Sequence, residues 1–343
     1  MNQNFENLDD QESILWIKCL QASLTPLLLI LLTIVSQGVL ADTPSPEVNA
    51  NTGATEISAA EIKVVDDQGN RLILTQPARR IVSLAPHITE MLFSAGAAEQ
   101  IVGTVAFSDY PAAAEQIPRV GDAVNLDVEA IVALQPDLIV AWRSGTPQRA
   151  ITALQQLGFQ LYLSDPSGFN DIVKNISDLG QLSGHGEFAT SQIRQFLDRL
   201  AKLEQHYRKP PKVSVFYQIW QEPLMTVNGK HLISQVIDLC GGENLFADMP
   251  RLTPQVSLES VIAKNVQAIL ISAPPADDDH LLTYWQRWQS LPAVRYQAIY
   301  KIPWDIISRH SLRIVEGAKV ICESIEQVRQ TLTEDGKTPF RSD

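Results

Sequence analysis

Basic residues are scarce in this chain. Of its 343 residues, 27 are Lys or Arg against 39 Asp or Glu, a formal net charge of -12. A nucleic-acid binder needs a cationic footprint to displace counterions, so this balance excludes that class of partner. Cysteine is scarcer still, with only Cys19, Cys240 and Cys322. No Cys-x-x-Cys, His-Glu-x-x-His or Gly-x-Ser-x-Gly occurs, which removes the recognisable metallocluster, zinc-hydrolase and serine-hydrolase constellations. Gly336-Lys337-Thr338 is a fragment of a phosphate loop, but Thr331 stands where the first glycine belongs. It also sits in a polar tail and not between a strand and a helix.

Long apolar runs are absent apart from one at the N-terminus. Leu27–Val35, extended by Leu24 and Val39-Leu40, ends at Ala41 before Asp42-Thr43-Pro44. The run is short for a spanning helix, and Val39 and Ala41 fit the small-residue positions of a signal-peptidase site. The preceding segment carries Glu6, Asp9, Asp10 and Glu12 against Lys18, whereas an export signal is usually basic there. Residues 1–41 therefore read as a signal peptide cleaved near Ala41, with an uncleaved anchor as the alternative, and the location as periplasmic. Cys19 precedes the apolar run with no small residues before it, unlike a lipoprotein acylation site. Export leaves Cys240 and Cys322, an even count that favours a disulfide over two separate buried thiols.

Residues 42–60, rich in Pro, Ser, Thr, Asn and Ala, read as a flexible tether. Ile62–Val65 and Arg71–Leu74 around Asp66-Asp67-Gln68-Gly69-Asn70 predict a hairpin. From Arg80, apolar strand-like runs (81–84, 101–106, 138–142, 160–163) alternate with helical periods (89–95, 128–134, 147–157). The pattern returns with strands 213–219, 268–272 and 298–302 and helices 232–239, 258–265, 281–291 and 312–332. Near-continuous apolar strands alternating with helices mean parallel sheets covered on both faces. Between the two sets, Phe188, Ile193, Phe196, Leu197, Leu200, Leu203 and Tyr207 recur at helical spacing until Lys209-Pro210-Pro211. The expected fold is thus α/β: two Rossmann-like lobes with parallel sheets, joined by a single long α-helix, with a ligand cleft between them. The N-terminal lobe spans 61–185, the connecting helix 186–209, the C-terminal lobe 210–332 and a polar tail 333–343. No low-complexity linker and no evident repeat divides the chain.

Ligands of open parallel sheets bind at the carboxyl ends of strands. Those ends carry Ala85-Pro86-His87, Phe107-Ser108-Asp109-Tyr110-Pro111, Trp142-Arg143-Ser144-Gly145, Gln218-Ile219-Trp220, Ala273-Pro274-Pro275 and Pro303-Trp304-Asp305. Singly, each aromatic is open to a reading as core; together at strand ends of both lobes they outline a ligand cleft. His87 is either a ligand or metal contact or a hydrogen-bonding loop residue. Asp277-Asp278-Asp279-His280 precedes a helix and reads as an acidic cap, not a metal site. Gly241-Gly242 reads as a helix end.

With these loops the chain resembles the helical-backbone class of substrate-binding proteins for ABC importers, and within it the cobalamin-binding branch. The resemblance covers about Arg80 to Val328. It is carried by Arg80-Ile-Val-Ser-Leu-Ala-Pro with Thr89-Glu90, Ser108-Asp109-Tyr110-Pro111, Ile131–Arg143, Cys240-Gly-Gly-Glu-Asn-Leu-Phe246 and Pro254-Gln-Val-Ser257. It implies a non-enzymatic carrier with no cofactor of its own. Such a carrier clamps a corrinoid between two lobes with small closure and hands it to a permease and ATPase complex. It implies Tyr110 and Trp304 as aromatics against the corrin, and a supporting role for Trp142 and Arg143. Asp109, Trp220, Arg309 and His87 complete the expected ligand-binding set, with His87 as a candidate ligand to the corrin cobalt. Glu129 and Glu259 match carboxylates that engage arginines of the permease; without the resemblance they are ordinary solvated helix residues. Two departures stand out: Ala123 replaces a tryptophan of the binding loop, and His87 replaces a small residue. A binder of haem or a ferric siderophore, with Arg143 and Arg309 as the visible cations, is the alternative. An enzyme or metallocluster protein on the same bilobal fold is the second.

Overall fold

The computed structural model describes residues 61–122, 124–274 and 280–335. Residues 1–60, with Cys19 and the expected signal peptide and tether, Ala123, Asp277–Asp279 and the residues beyond Asp335 lie outside the described residues. The chain enters as an antiparallel hairpin, β1 (Ile62–Val65) and β2 (Arg71–Leu74), with Val64 opposite Leu72. The first lobe follows as β3 (Ile81–Ser83), α1 (Pro86–Ser94), β4 (Ile101–Gly103), α2 (Val128–Ala133), β5 (Leu138–Trp142), α3 (Gln148–Gln156), β6 (Leu161–Ser164) and α4 (Phe169–Ser183). Helix α5 (Gly186–Tyr207) then leads to the second lobe. That lobe holds β7 (Val213–Gln218), α6 (Leu232–Leu239), β8 (Gly242–Asn244), α7 (Leu258–Ala263), β9 (Ala268–Ala273) and α8 (His280–Gln286). It ends with α9 (Pro292–Arg295), β10 (Ile299–Pro303), α10 (Trp304–Ile307) and α11 (Ile314–Asp335).

Both sheets are parallel, ordered β4-β3-β5-β6 and β8-β7-β9-β10. Numbered within its own lobe, each reads 2-1-3-4. The repeat reaches the sequence. Residues 127–140 and 257–270, offset by 130, run through nearly the same burial pattern and the same elements, α2 into β5 and α7 into β9. Each helix opens on a side-chain cap, Asp127 accepting from the Ala130 N–H and Ser257 from that of Ser260. Each stops at a left-handed residue, Gln135 (φ 47°) or Asn265 (φ 54°). The expectation of no repeat is therefore corrected. Few side chains are identical across the offset, so spacing and burial carry the match.

Four further expectations change. Helix α4 escaped sequence reading: it mixes Asn170, Asp171, Asn175, Ser177, Asp178 and Gly180 with its buried stripe Ile172, Ile176, Leu179, and its polar content reads as loop. Gly180 allows α4 to lie close on α5, because a Cβ there would sit 2.5 Å from that of Ala189. Gly242 does not merely follow a helix end but opens β8, paired with Val213. The single helix expected over 281–291 stops at Gln286, and a second turn starts at Pro292. Finally, α11 extends to Asp335, into what read as tail.

Helix α5 packs on α4 of the first lobe and on α6 and α11 of the second. Its buried residues Ala189, Phe196 and Leu200 belong to one continuous apolar core that runs from Ile81 and Ile88 through to Val213, Ile237 and Ile325. Each sheet keeps a smaller separate core on its other face, around Ile131 and Ile139 in one lobe and Val261 and Ile269 in the other. Cys240, at the end of α6, is bonded to Cys322 in α11 across 82 residues, with Cα atoms 4.7 Å apart. Among the described residues no helix is long and apolar enough to cross a membrane.

Candidate functional site

In a 2-1-3-4 sheet the connections leaving strands 1 and 3 diverge, and the crevice between their carboxyl ends is where ligands settle. Those strands are β3 and β5 in one lobe and β7 and β9 in the other. The end of β3 is built on buried hydroxyls. Ser83 Oγ lies 2.8 Å from Thr89 Oγ1, which lies 2.7 Å from Thr104 Oγ1; Thr104 donates to Ser108 Oγ at 2.8 Å. This chain of hydroxyls ties the end of β3, the first turn of α1 and the loop after β4 into one unit. It also gives the Ser83 and Thr89 positions of the sequence motif a physical reason.

The loop after β5 is organised by a residue that sequence reasoning missed. Asp165 accepts from Trp142 Nε1 (3.1 Å), Arg143 Nε (2.9 Å) and Ser144 Oγ (2.6 Å), while its own N–H donates to Asp67 of the hairpin turn at 2.7 Å. The Trp142 indole lies across Gly145, where a Cβ would come within 1.8 Å of the ring. The rings of His87 and Trp142 meet nearly perpendicular, with centres 5.2 Å apart.

The lobes meet at a second acidic residue also absent from the candidates, Glu90 of α1, only 2% exposed. Three groups of the second lobe converge on it: Arg309 at 2.9 Å, Arg313 at 3.0 Å and the Ser311 hydroxyl. Arg309 also reaches Asp109 (2.6 Å) and the Phe107 carbonyl (3.1 Å). Arg313 also pairs with Asp305 and stacks 3.8 Å over the ring of Tyr110. Asp109 and Arg309, both expected as ligand contacts, are thus partners of one another across the cleft. Burial pushes the Asp109 carboxyl up, but the hydrogen bond and charge of Arg309 outweigh it and hold the group below its ordinary range.

A row of histidines crosses the same junction. His87 of the first lobe lies 6.3 Å from His310 of the second, and His310 lies 6.1 Å from His231. His310 Nδ1 is 2.7 Å from the Pro166 carbonyl of the first lobe. His87 is not a loop residue but the second residue of α1, 8% exposed, with Nε2 buried and without a hydrogen-bond partner. Burial, aided by His310, pushes its pKa down to about 3; burial likewise brings His231 to about 4 and lowers His310. Among the described residues no group of three or more His, Cys, Asp and Glu is placed to hold a metal ion.

The remaining expected residues lie at the surface. Tyr110, Trp142 and Trp304 are exposed, and Trp220 is 59% exposed with its Nε1 donating to the Glu222 carbonyl. Phe107, not foreseen, is 76% exposed at φ 64°, a backbone conformation uncommon for a bulky residue and concentrated at functional positions. Glu129 and Glu259 occupy equivalent positions of α2 and α7, second in each helix and exposed. Hollows of about 600 and 930 Å³ lie elsewhere, against the hairpin with α4 and against the start of α5; neither is lined by residues at the carboxyl ends of the two parallel sheets.

Residues 81–305 match the family described as periplasmic binding protein. The chain is 35% identical over 256 residues to the vitamin B12-binding protein of Vibrio parahaemolyticus, spanning 74% of this chain and 92% of that one. Its fold is similar to that of the periplasmic vitamin B12 binding protein BtuF of Vibrio cholerae. That likeness has a TM-score of 0.67 at 34% identity, over 74% of this chain and 99% of that one. The periplasmic heme binding protein HutB of Vibrio cholerae shares the fold, with a TM-score of 0.64 at 20% identity over 71% and 97% of the two chains.

Proposed function

The chain belongs to the periplasmic binding protein family, whose members are non-enzymatic transport components, and we propose that it captures a cobalamin-type corrinoid between its lobes for an ABC importer. The observation that carries this reading is the set of exposed aromatic rings at strand ends of both lobes. Tyr110 and Trp142 come from one, Trp220 and Trp304 from the other. A flat, partly apolar macrocycle with a neutral amide periphery suits such faces, because aromatic rings bury large area at little rotamer cost. The likeness to vitamin B12-binding relatives at about 35% identity supports the same ligand, whereas the haem-binding likeness at 20% concerns the fold alone. His87, neutral through burial, is suited to donate a nitrogen to the corrin metal once the floor opens to it. Residues 1–41 act as the export signal in this reading.

Delivery falls to Glu129 and Glu259. The 130-residue repeat sets one carboxylate on each lobe at equivalent places, which suits a permease that presents two equivalent cationic surfaces. Calorimetric titration with cyanocobalamin tests the ligand. Tyr110→Ala and Trp304→Ala should each cost about 1–3 kcal/mol, roughly five- to a hundredfold in Kd. Unchanged affinity in both variants would place the ligand elsewhere.

A further inference from the structure

The cleft floor holds three guanidinia, and each is already committed to a carboxylate of the chain. Arg143 pairs with Asp165 at 2.9 Å. Arg309 pairs with Glu90 and Asp109, and Arg313 with Glu90, Asp305 and, at 3.8 Å, Glu316. Three cations therefore face five carboxylates. Arg119, beside the same loop, gives its donors to the carbonyls of Ser108, Ala114 and Ile117. The histidines add no positive charge near neutrality, because burial keeps His87, His231 and His310 in the uncharged form.

We infer that Glu90, Asp109 and Asp165 are specificity determinants: by occupying the arginines of the floor they admit a macrocycle rimmed with neutral amides and reject one rimmed with carboxylates. This rests on the corrinoid reading and names what the cleft excludes. The same three arginines without their partners would form a receptor for carboxylates, since a guanidinium binds a planar anion bidentately. With the partners in place, an incoming propionate meets excess negative charge and must break an existing pair to find a donor. Selectivity of this kind works by leaving the wrong ligand unpaired. At a few ångströms and the effective dielectric of a protein surface, each uncompensated carboxylate should lose about tenfold to a hundredfold in affinity.

The test compares ligands that differ in rim charge. Cyanocobalamin, the same corrin with propionamides hydrolysed to propionates, and haemin are titrated against wild type, Asp109→Asn and the double variant Asp109→Asn with Asp165→Asn. Thermal melts establish that each is folded. Wild type should prefer the amide corrin over its acid by about tenfold or more. The double variant should narrow that ratio about tenfold and gain affinity for haemin, with Asp109→Asn between the two. Equal affinity of wild type for the two corrins, or an unaltered ratio in the folded variants, overturns the inference. If neither corrin binds wild type, the corrinoid reading itself is lost. The haemin titration then still decides the charge argument, which stands only if the double variant gains haemin affinity over wild type.

Discussion

Gly145 has no side chain because the Trp142 ring fills the space that one would need. Substituting Gly145→Ala should push the indole off its hydrogen bond to Asp165 and away from the His87 ring. Corrinoid affinity should fall about fivefold or more through lost aromatic contact, and the tryptophan emission should shift. A variant with wild-type emission and affinity would show that the orientation of Trp142 is immaterial. The histidines make a second prediction. Their folded pKa values lie below the unfolded value of about 6.5, so between about pH 6.5 and 4 the unfolded chain binds protons that the folded chain refuses. Stability is therefore whole above about pH 6.5 and falls on acidification, by up to about 1.4 kcal/mol per pH unit for each histidine. Melting curves from pH 7.5 to 5 should show the decline, and His87→Gln should flatten it; a pH-independent Tm in that range would contradict the buried, neutral imidazoles. Trp142, Trp220 and Trp304 could be placed at strand ends from the sequence because each stands at, or within two residues of, the end of an apolar run, whereas Tyr110 lies in the loop seven residues beyond β4. Glu90, Arg313 and His310 were not legible, since Arg309 and Glu90 meet across 219 residues and nothing local marks such a partner.

At the scale of elements, the longer buried strands were read well, and the short β8 and the polar helices poorly. Leu138–Trp142 and Ala268–Ala273 are buried almost throughout, and a short apolar run bounded by turn residues suits a buried strand better than a helix. Helix α4 keeps its apolar residues to one stripe and is held by tertiary contact with α5, which the sequence does not display. The α6–α11 disulfide was expected from an even cysteine count, and the geometry places both sulfurs in the interior. Closing so long a loop stabilises the fold by about 4–5 kcal/mol in the chain-entropy limit. The double substitution Cys240→Ser with Cys322→Ser should thus lower Tm by roughly ten degrees while leaving the cleft intact. An undiminished Tm would mean that packing of α6 on α11 suffices alone.

Across the whole molecule the two lobes repeat one another in topology, cap placement and left-handed stops, and this symmetry gives Glu129 and Glu259 their equivalence. Reversing both charges, Glu129→Lys with Glu259→Lys, should abolish importer-dependent uptake yet leave the Kd for cyanocobalamin within about twofold, since the carboxylates lie outside the cleft. Loss of ligand binding, or uptake at the normal rate, would refute that separation of roles. The repeat describes halves, but the principal core does not: it passes from β3 through α5 to α11 without interruption. Neither half is thus an autonomous folding unit. A chain severed within α5 would expose on each fragment the apolar surface that the other was covering, and the two pieces would regain solubility only by reassociating.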